Sequence, residues 1–306
     1  MDPVVYRGRF APSPTGPLHM GSVFTALAGF LQARAQNGQW LLRIDDLDSV
    51  RTLPGAGDSI LETLDTLGLQ WDETVTYQSD HLALYREALD RLNNEGLLYP
   101  CTCSRKSLSD AQNERQNSTA VVETNSRLYP GFCAQRKQNP SSPHALRVKA
   151  RETVCFVDRL QGLRSYSLPE ITGDFILRRR DGIFAYHLAT VMDDQHAQIT
   201  ETLRGMDLLD ATACQIHLKN LLGIPIGTYC HIPSLVDAAG IKYSKQTGAP
   251  AVDGQKPAPV LIKLLMLLQQ NPPPELSTAS APEILQWAVA HWDIEKLRDI
   301  AVIRYP

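Results

Sequence analysis

The chain has 306 residues, of which 43% are hydrophobic, and its formal net charge is −3. This length suits roughly two domains with cores of their own. The charge balance argues against a generic nucleic-acid binder but is compatible with one local basic face. No apolar run approaches the ~20 residues of a membrane span, and the N-terminus lacks a secretory signal, so we expect a cytoplasmic protein without membrane contact. The six cysteines favour reduced thiols or a metal site over disulfides.

The first predicted unit is a strand, a turn and a helix. A β-rich run covers 4–10, and apolar residues recur at helical spacing over 23–36. This order opens a nucleotide-binding α/β unit. Gly16 and Gly21 allow phosphate to approach the backbone, and the helix N-terminus offers unpaired N–H groups. His19 is placed to donate to a phosphate oxygen.

The turn carries a family resemblance. It reads Arg-Phe-Ala-Pro-Ser-Pro-Thr-Gly from Arg9 and continues through His19-Met-Gly-Ser22. The second part resembles the HIGH signature of class I aminoacyl-tRNA synthetases, with Ser22 in place of the final histidine, and the lead-in resembles the glutamyl branch. The resemblance implies that ATP is bound by His19 and Gly21. It also implies that L-glutamate is bound by Arg9, Phe10, Ala11, Pro12 and Ser13.

A second block follows a predicted buried strand over 40–44. Asp45, Asp46 and Asp48 come directly after it, where an open parallel sheet binds its ligands. On composition alone this is a solvated turn. The block resembles the Arg-Ile-Glu-Asp-Thr-Asp motif of glutamyl enzymes, which implies that Asp45 faces the ammonium group of the amino acid with a shorter arm than the family's glutamate.

Two scaffold helices are predicted next. Ser59 and Glu62 fit a capping box at the start of the first, and Gly68 fits its end. Apolar spacing over 82–92 predicts the second, which Gly96 ends.

Cysteines then cluster around one segment, at Cys101, Cys103 and Cys133. Zinc requires four tetrahedral ligands, and the residues alone leave buried thiols as an alternative. Cys155 lies in an apolar run and reads as strand core. Short proteins that resemble glutamyl synthetases carry Cys-x-Cys followed by Tyr-x-x-x-Cys. That resemblance implies one structural zinc held by Cys101, Cys103, Tyr129 and Cys133, with a flexible polar insertion over 104–127.

Basic residues follow in a predicted inserted subdomain, whose strands cover 147–151, 154–158 and 174–180. Such a run is usually a solvated face. Its place beside the active site favours contact with an RNA backbone instead. The residues are Lys149, Arg151, Arg159, Arg164, Arg178, Arg179 and Arg180.

The second half of the chain supplies the remaining candidates. Tyr186 and Thr190 share one helix face, and Arg204 lies in an Arg-Gly-Met-Asp block that resembles the glutamyl site. The resemblance implies that Tyr186 and Arg204 bind glutamate, and a guanidinium pairs bidentately with its side-chain carboxylate but poorly with an amide. Lys242-Tyr-Ser-Lys245 resembles the KMSKS loop, which implies that Lys245 binds ATP and that His19 and Lys245 are catalytic.

These predictions combine into an α/β fold with a Rossmann-type parallel sheet, an inserted zinc-containing subdomain and a helical C-terminal part. We expect catalytic halves over 1–100 and 173–240, the insertion over 101–172, and a loop and helical stem-contact region over 241–306, with no anticodon-binding domain. This organisation resembles the truncated glutamyl-queuosine tRNA(Asp) synthetases.

That family implies tRNA-independent activation of L-glutamate by ATP with Mg²⁺, and transfer of glutamate to queuosine in the anticodon of tRNA(Asp). We expect a monomer. One alternative is a tRNA(Glu)-charging enzyme that lacks its anticodon domain. The other is a non-catalytic paralogue that binds RNA or a nucleotide.

Overall fold

The computed structural model describes residues 5–104, 106–108, 128–129, 131–135, 143–243, 250–252 and 254–305. Lys245 and most of the predicted insertion over 104–127 lie outside these residues. The described strands are β1 (Arg7–Phe10), β2 (Gln39–Ile44), β3 (Asp72–Tyr77), β4 (Leu98–Cys101), β5 (Ala145–Val148), β6 (Thr153–Asp158), β7 (Gly162–Ser167), β8 (Phe175–Arg178), β9 (Glu201–Gly205), β10 (Thr228–Ile232), β11 (Ser234–Val236) and β12 (Val302–Arg304). The helices are α1 (Met20–Ala35), α2 (Ala56–Thr66), α3 (Leu82–Asn94), α4 (Leu168–Ile171), α5 (Tyr186–His196), α6 (Leu209–Leu222), α7 (Pro257–Leu267) and α8 (Ala281–Ala290).

Parallel strands form the centre of the molecule, as the sequence predicts. β1, β2 and β3 pair in that order and in parallel, with α1 and α2 as crossovers. β9, β10 and β6 form a second parallel set, and β7 is added antiparallel at its edge. The helical C-terminal part packs α7 and α8 against α1 in the core of the first set.

The two parallel sets meet at β1 and β9. The Thr200 amide donates to the Arg7 carbonyl at 3.0 Å, and the Arg7 amide donates to Thr200 Oγ1 at 2.8 Å. The chain runs outward from β1 to β3 and later returns to β9, so the strand order reverses at this seam. Ligands of open α/β sheets bind beside such a reversal, at the carboxyl ends of the strands.

A third sheet, antiparallel, has the order β4-β5-β8. The prediction that β6 also belongs to the inserted subdomain is wrong, because β6 pairs with β10 in the second parallel set. The assignment of Cys155 to strand core is wrong as well: β6 alternates between exposed and buried residues, and Cys155 faces solvent. The domain boundaries themselves stay a prediction.

One predicted helix start is also wrong. α2 begins at Ala56, after Gly55 with φ 74°, so Ser59 and Glu62 lie inside the helix and do not cap it. The capping box forms instead at α8, where the Ser280 amide donates to Glu283 Oε2 at 2.8 Å. Within the described residues, no helix is long and apolar enough to cross a membrane.

Candidate active site and thiol cluster

A cavity of about 590 Å³ opens at the seam between the two parallel sets. It brings together residues that lie far apart along the chain, from the turn after β1, the end of β2, the start of α5 and the end of β9. All the predicted glutamate- and ATP-binding residues that the structure describes line it: Arg9, Phe10, Ala11, Pro12, Ser13, His19, Gly21, Asp45, Tyr186 and Arg204.

His19 is the N-cap of α1 and faces this cavity. Its Nδ1 accepts from the Ser22 amide at 3.2 Å, so Nε2 carries the proton and donates to Ser22 Oγ at 3.0 Å. A Cβ added to Gly21 would lie 2.9 Å from the Tyr243 carbonyl oxygen. Glycine at this position therefore lets the segment before Lys245 pack against the start of α1.

Buried charges support the floor of the cavity. Asp194 accepts from Arg9 Nε at 3.1 Å and from Arg43 Nη1 at 2.7 Å. Burial alone would raise the pKa of Asp194, but the two arginines outweigh it and lower that pKa to about 2. Asp45 accepts from Arg43 Nε at 2.7 Å, while burial raises the pKa of Asp45. The carboxylate predicted to face the substrate ammonium is thus held by Arg43.

Arg204 lies at the end of β9 with 3% of its surface exposed. Its Nη1 donates to the Tyr186 hydroxyl at 3.4 Å, its Nη2 to Thr212 Oγ1 at 2.7 Å, and its Nε to His231 Nε2 at 3.0 Å. The guanidinium is therefore fixed from the protein side, with Nη1 next to the half-exposed Tyr186 at the cavity wall. Thr190, one turn further along α5, is buried.

Residues 5–258 match the family described as tRNA synthetases class I (E and Q), catalytic domain. The chain is 50% identical over 294 residues to the glutamyl-Q tRNA(Asp) synthetase of Methylococcus capsulatus, a match that covers 95% of this chain and 93% of that protein. It is 47% identical over 289 residues to the enzyme of that name in Aromatoleum aromaticum, a match that covers 94% of this chain and 89% of that protein. The chain belongs to the glutamyl-Q tRNA(Asp) synthetase family. It is therefore a ligase-type enzyme.

The fold of this glutamyl-Q tRNA(Asp) synthetase family member has a close counterpart among solved structures. A glutamate tRNA ligase from Elizabethkingia meningosepticum, in complex with its amino acid, superimposes with a TM-score of 0.79. The superposition covers 98% of this chain and 67% of that one, at 24% sequence identity. At this identity the likeness establishes the fold alone, and it agrees with the predicted Rossmann-type organisation.

The structure also gathers the predicted zinc ligands of this family member. The sulfur atoms of Cys101, Cys103 and Cys133 lie within 4.8 Å of one another, with 3.4 Å between Cys103 and Cys133. The Tyr129 hydroxyl lies 3.5 Å from Cys101 Sγ and accepts from the Cys133 amide at 2.9 Å. Burial raises the pKa of Cys133, but hydrogen bonds from the Thr102 backbone and Tyr129 outweigh it and lower that pKa to about 7.

Part of the predicted basic face is neutralised within the protein. Arg159 pairs with Glu201 at 3.4 Å and with Glu295 at 3.2 Å. Arg179 pairs with Asp181 at 2.7 Å. These two arginines are therefore already engaged in ion pairs, which reduces the charge available to an RNA backbone.

Sequence reasoning missed the residues that support the cavity from behind. Arg43 bridges Asp45 and Asp194, and Asp193 accepts from Gln78 Nε2 and the Tyr85 hydroxyl, both at 2.7 Å. A charged residue inside a predicted buried strand was the available signal for Arg43, because a buried charge requires partners.

Proposed function

We propose that this chain activates L-glutamate with ATP in the absence of tRNA and transfers the glutamate to queuosine in the anticodon of tRNA(Asp). The observation that carries the proposal is the cavity at the seam, where the turn after β1 meets the Arg-Gly-Met-Asp block at the end of β9. Arg9 enters it from β1 and Arg204 from β9. Two buried guanidinium groups suit a substrate with two carboxylates, and the names of the relatives support glutamate as that substrate.

The proposed reaction has two steps. An oxygen of the α-carboxylate of glutamate attacks the α-phosphorus of ATP, pyrophosphate leaves, and glutamyl-adenylate forms. A queuosine hydroxyl then attacks the glutamyl carbonyl, AMP leaves, and the hydroxyl proton is released. Because phosphoryl transfer depends mainly on positioning and on stabilising charge, side chains that orient the substrates account for most of the catalysis.

Each side chain has a defined part in this scheme. We assign glutamate binding to Arg9, Ser13, Asp45, Tyr186 and Arg204, with Arg204 reading the side-chain carboxylate. His19, held at the N-terminus of α1, and Lys245 stabilise the negative charge that develops on the phosphates. Mg²⁺ bound with ATP would neutralise part of that charge.

We further propose that Cys101, Cys103, Tyr129 and Cys133 hold one structural zinc. Zinc–sulfur bonds of about 2.3 Å in a tetrahedron require sulfur atoms about 3.8 Å apart, close to the 3.4 Å between Cys103 and Cys133. The Tyr129 oxygen supplies a fourth donor at the same point. Burial raises the pKa of Tyr129, so the metal itself would displace the phenol proton.

The test is glutamate-dependent exchange of pyrophosphate into ATP without tRNA, followed by acylation of tRNA(Asp) with and without queuosine. We expect exchange, and base-bound glutamate only on the queuosine-containing tRNA. Glutamate attached to the 3′ end of tRNA would identify a tRNA(Glu)-charging enzyme. Absence of exchange would favour the alternative of a non-catalytic paralogue.

A further inference from the structure

Behind Arg204, two buried residues continue its hydrogen bonding into the sheet. Asp158 ends β6, His231 lies on the neighbouring β10, and Arg204 lies on β9 beside it. Asp158 Oδ2 and His231 Nδ1 are 2.6 Å apart, and His231 Nε2 and Arg204 Nε are 3.0 Å apart. Asp158 and His231 have no exposed surface. A row of hydrogen bonds therefore crosses three adjacent strands and ends at the cavity.

The chemistry of this row allows one protonation state. A guanidinium can only donate, so Arg204 requires an acceptor at His231 Nε2. The proton of the neutral imidazole must then be on Nδ1, where it donates to Asp158. Burial and the positive charge of Arg204 lower the pKa of His231 and so favour the neutral ring.

The carboxylate at the far end is itself fixed. Asp158 Oδ1 accepts from the backbone amides of Leu160 at 3.1 Å and Gln161 at 3.0 Å. A rigid Asp158 fixes the ring of His231, and a rigid ring fixes the plane of the Arg204 guanidinium. Thr212, also without exposed surface, accepts from Nη2 at 2.7 Å, and its hydroxyl lies 3.2 Å from His231 Nε2, so both residues hold the guanidinium from the same side.

We infer that Asp158 and His231 are positioning residues that hold Arg204 ready for the side-chain carboxylate of glutamate and thereby set the preference for glutamate over glutamine. This inference rests on the proposed function, because it assigns that carboxylate to Arg204. An arginine without such support would have to lose side-chain freedom when the substrate binds, and its fork would meet the carboxylate in many orientations.

The experiment compares two substitutions of His231 in pyrophosphate exchange. In His231→Asn the amide nitrogen lies near the position of Nδ1, so the bond to Asp158 is kept and the acceptor for Arg204 is lost. In His231→Gln the amide oxygen reaches towards the position of Nε2 and can accept from Arg204. His217→Asn is the matched control, because His217 is a buried histidine of α6 that bonds the Lys149 carbonyl at 2.8 Å and does not line the cavity.

For His231→Asn we expect the KM for glutamate to rise about 10- to 100-fold, the loss typical of a buried hydrogen bond to a charged group. The KM for ATP should stay constant, and the ratio of glutamate to glutamine activation should fall. His231→Gln should restore part of the wild-type preference for glutamate over glutamine. His217→Asn should lower the melting temperature without changing either KM.

Two results would overturn the inference, and they are distinguishable. If the wild-type protein shows no glutamate-dependent exchange, the proposed function fails and the inference fails with it. If the wild-type protein exchanges but His231→Asn reduces exchange with both amino acids equally, or leaves the glutamate KM unchanged, the inference alone fails.

Discussion

The guanidinium of Arg204 is the point at which glutamate and glutamine can be distinguished, because the two amino acids have nearly the same shape. Arg204→Ala should leave the side-chain carboxylate of bound glutamate desolvated without a partner, at a cost of ~2–5 kcal/mol. The same substitution should cost much less free energy with neutral glutamine. We expect glutamate activation to collapse and the glutamate/glutamine ratio to narrow in pyrophosphate exchange.

Arg159→Ala serves as the control for this prediction, since Arg159 is an arginine that lies outside the cavity. Arg159→Ala should leave the ratio of glutamate to glutamine activation at the wild-type value. If Arg204→Ala lowers exchange with both amino acids by one factor, the side-chain carboxylate is read elsewhere.

His187 is a titratable residue whose contribution to stability depends on pH. It is half-buried beside Phe175, with ring centroids 5.4 Å apart, and desolvation together with Arg204 lowers its pKa from 6.5 to about 4. The unfolded chain binds a proton below pH 6.5 and the folded chain does not until about pH 4, so acidification across this window removes stability. The shift corresponds to about 3 kcal/mol.

Denaturant unfolding of the wild type and His187→Phe between pH 7 and 4 measures this contribution. The free energy of unfolding of the wild type should fall more steeply as the pH is lowered. Parallel curves for the two proteins would show that His187 does not titrate differently on folding.

The sequence located Arg204 but not the residues that hold it. Arg204 stands in a block whose neighbours identify it, whereas Asp158 and His231 are 73 positions apart and meet only because β6 and β10 pair. No local periodicity encodes that pairing. The roles of Asp158 and His231 therefore emerge only once the lateral order of the strands is known.

At the scale of elements, the start of α8 depends on its capping box. The Ser280 hydroxyl and amide both bond Glu283, which leads the chain into a helix that packs on α1. Ser280→Ala should lower the free energy of unfolding by ~1 kcal/mol. Ser280→Thr keeps the hydroxyl and should cost much less. Equal losses in denaturant unfolding would mean that the cap contributes nothing.

The Ser-x-x-Glu patterns at Ser59 and Ser280 show what local sequence can decide. Ser280 is followed by Pro282, which fits the first turn of a helix but not its interior, so the pattern marks a true start. Ser59 has no such proline after it. Gly55, with φ 74°, turns the chain earlier and lets α2 begin three residues before Ser59. A capping motif without a neighbouring constraint is therefore weak evidence.

On the scale of the whole molecule, the thiol cluster has a core of its own. Tyr99, Cys101, Tyr129 and Cys133 pack together apart from the two larger cores. If these residues hold zinc, purified protein should contain close to one zinc per chain by elemental analysis. Removal of the metal by a chelator should reduce transfer to tRNA and leave glutamate-dependent exchange near its original rate.

Tyr129→Phe tests the fourth ligand in the same assay. It should lower zinc content and transfer together, while Tyr99→Phe, which alters the same small core but no ligand, should keep the metal. Loss of exchange in step with loss of zinc would contradict the separation of the two regions. A zinc-free protein that is folded and active in both steps would rule out the proposed metal site.

The alternation of predicted strands and helices was enough for the α/β class and for parallel pairing. It did not give the order of strands across the molecule, because the contact between Arg7 and Thr200 at the seam spans 193 positions and depends on how both cores pack. The residues that line the cavity at that seam were nevertheless predictable, because the motifs after β1 and β2 and around Arg204 identify them.

The row from Asp158 through His231 to Arg204 has a consequence for attempts to reprogram this enzyme in the laboratory. Exchanging Arg204 alone for an uncharged side chain would leave the buried His231 Nε2 with only the Thr212 hydroxyl, 3.2 Å away, as a partner. A lost buried hydrogen bond of this kind costs ~1–3 kcal/mol. Such a variant would therefore lose stability at the same time as it changed its preference. A mutant library that aims at another amino acid should therefore vary positions 158, 204, 212 and 231 together.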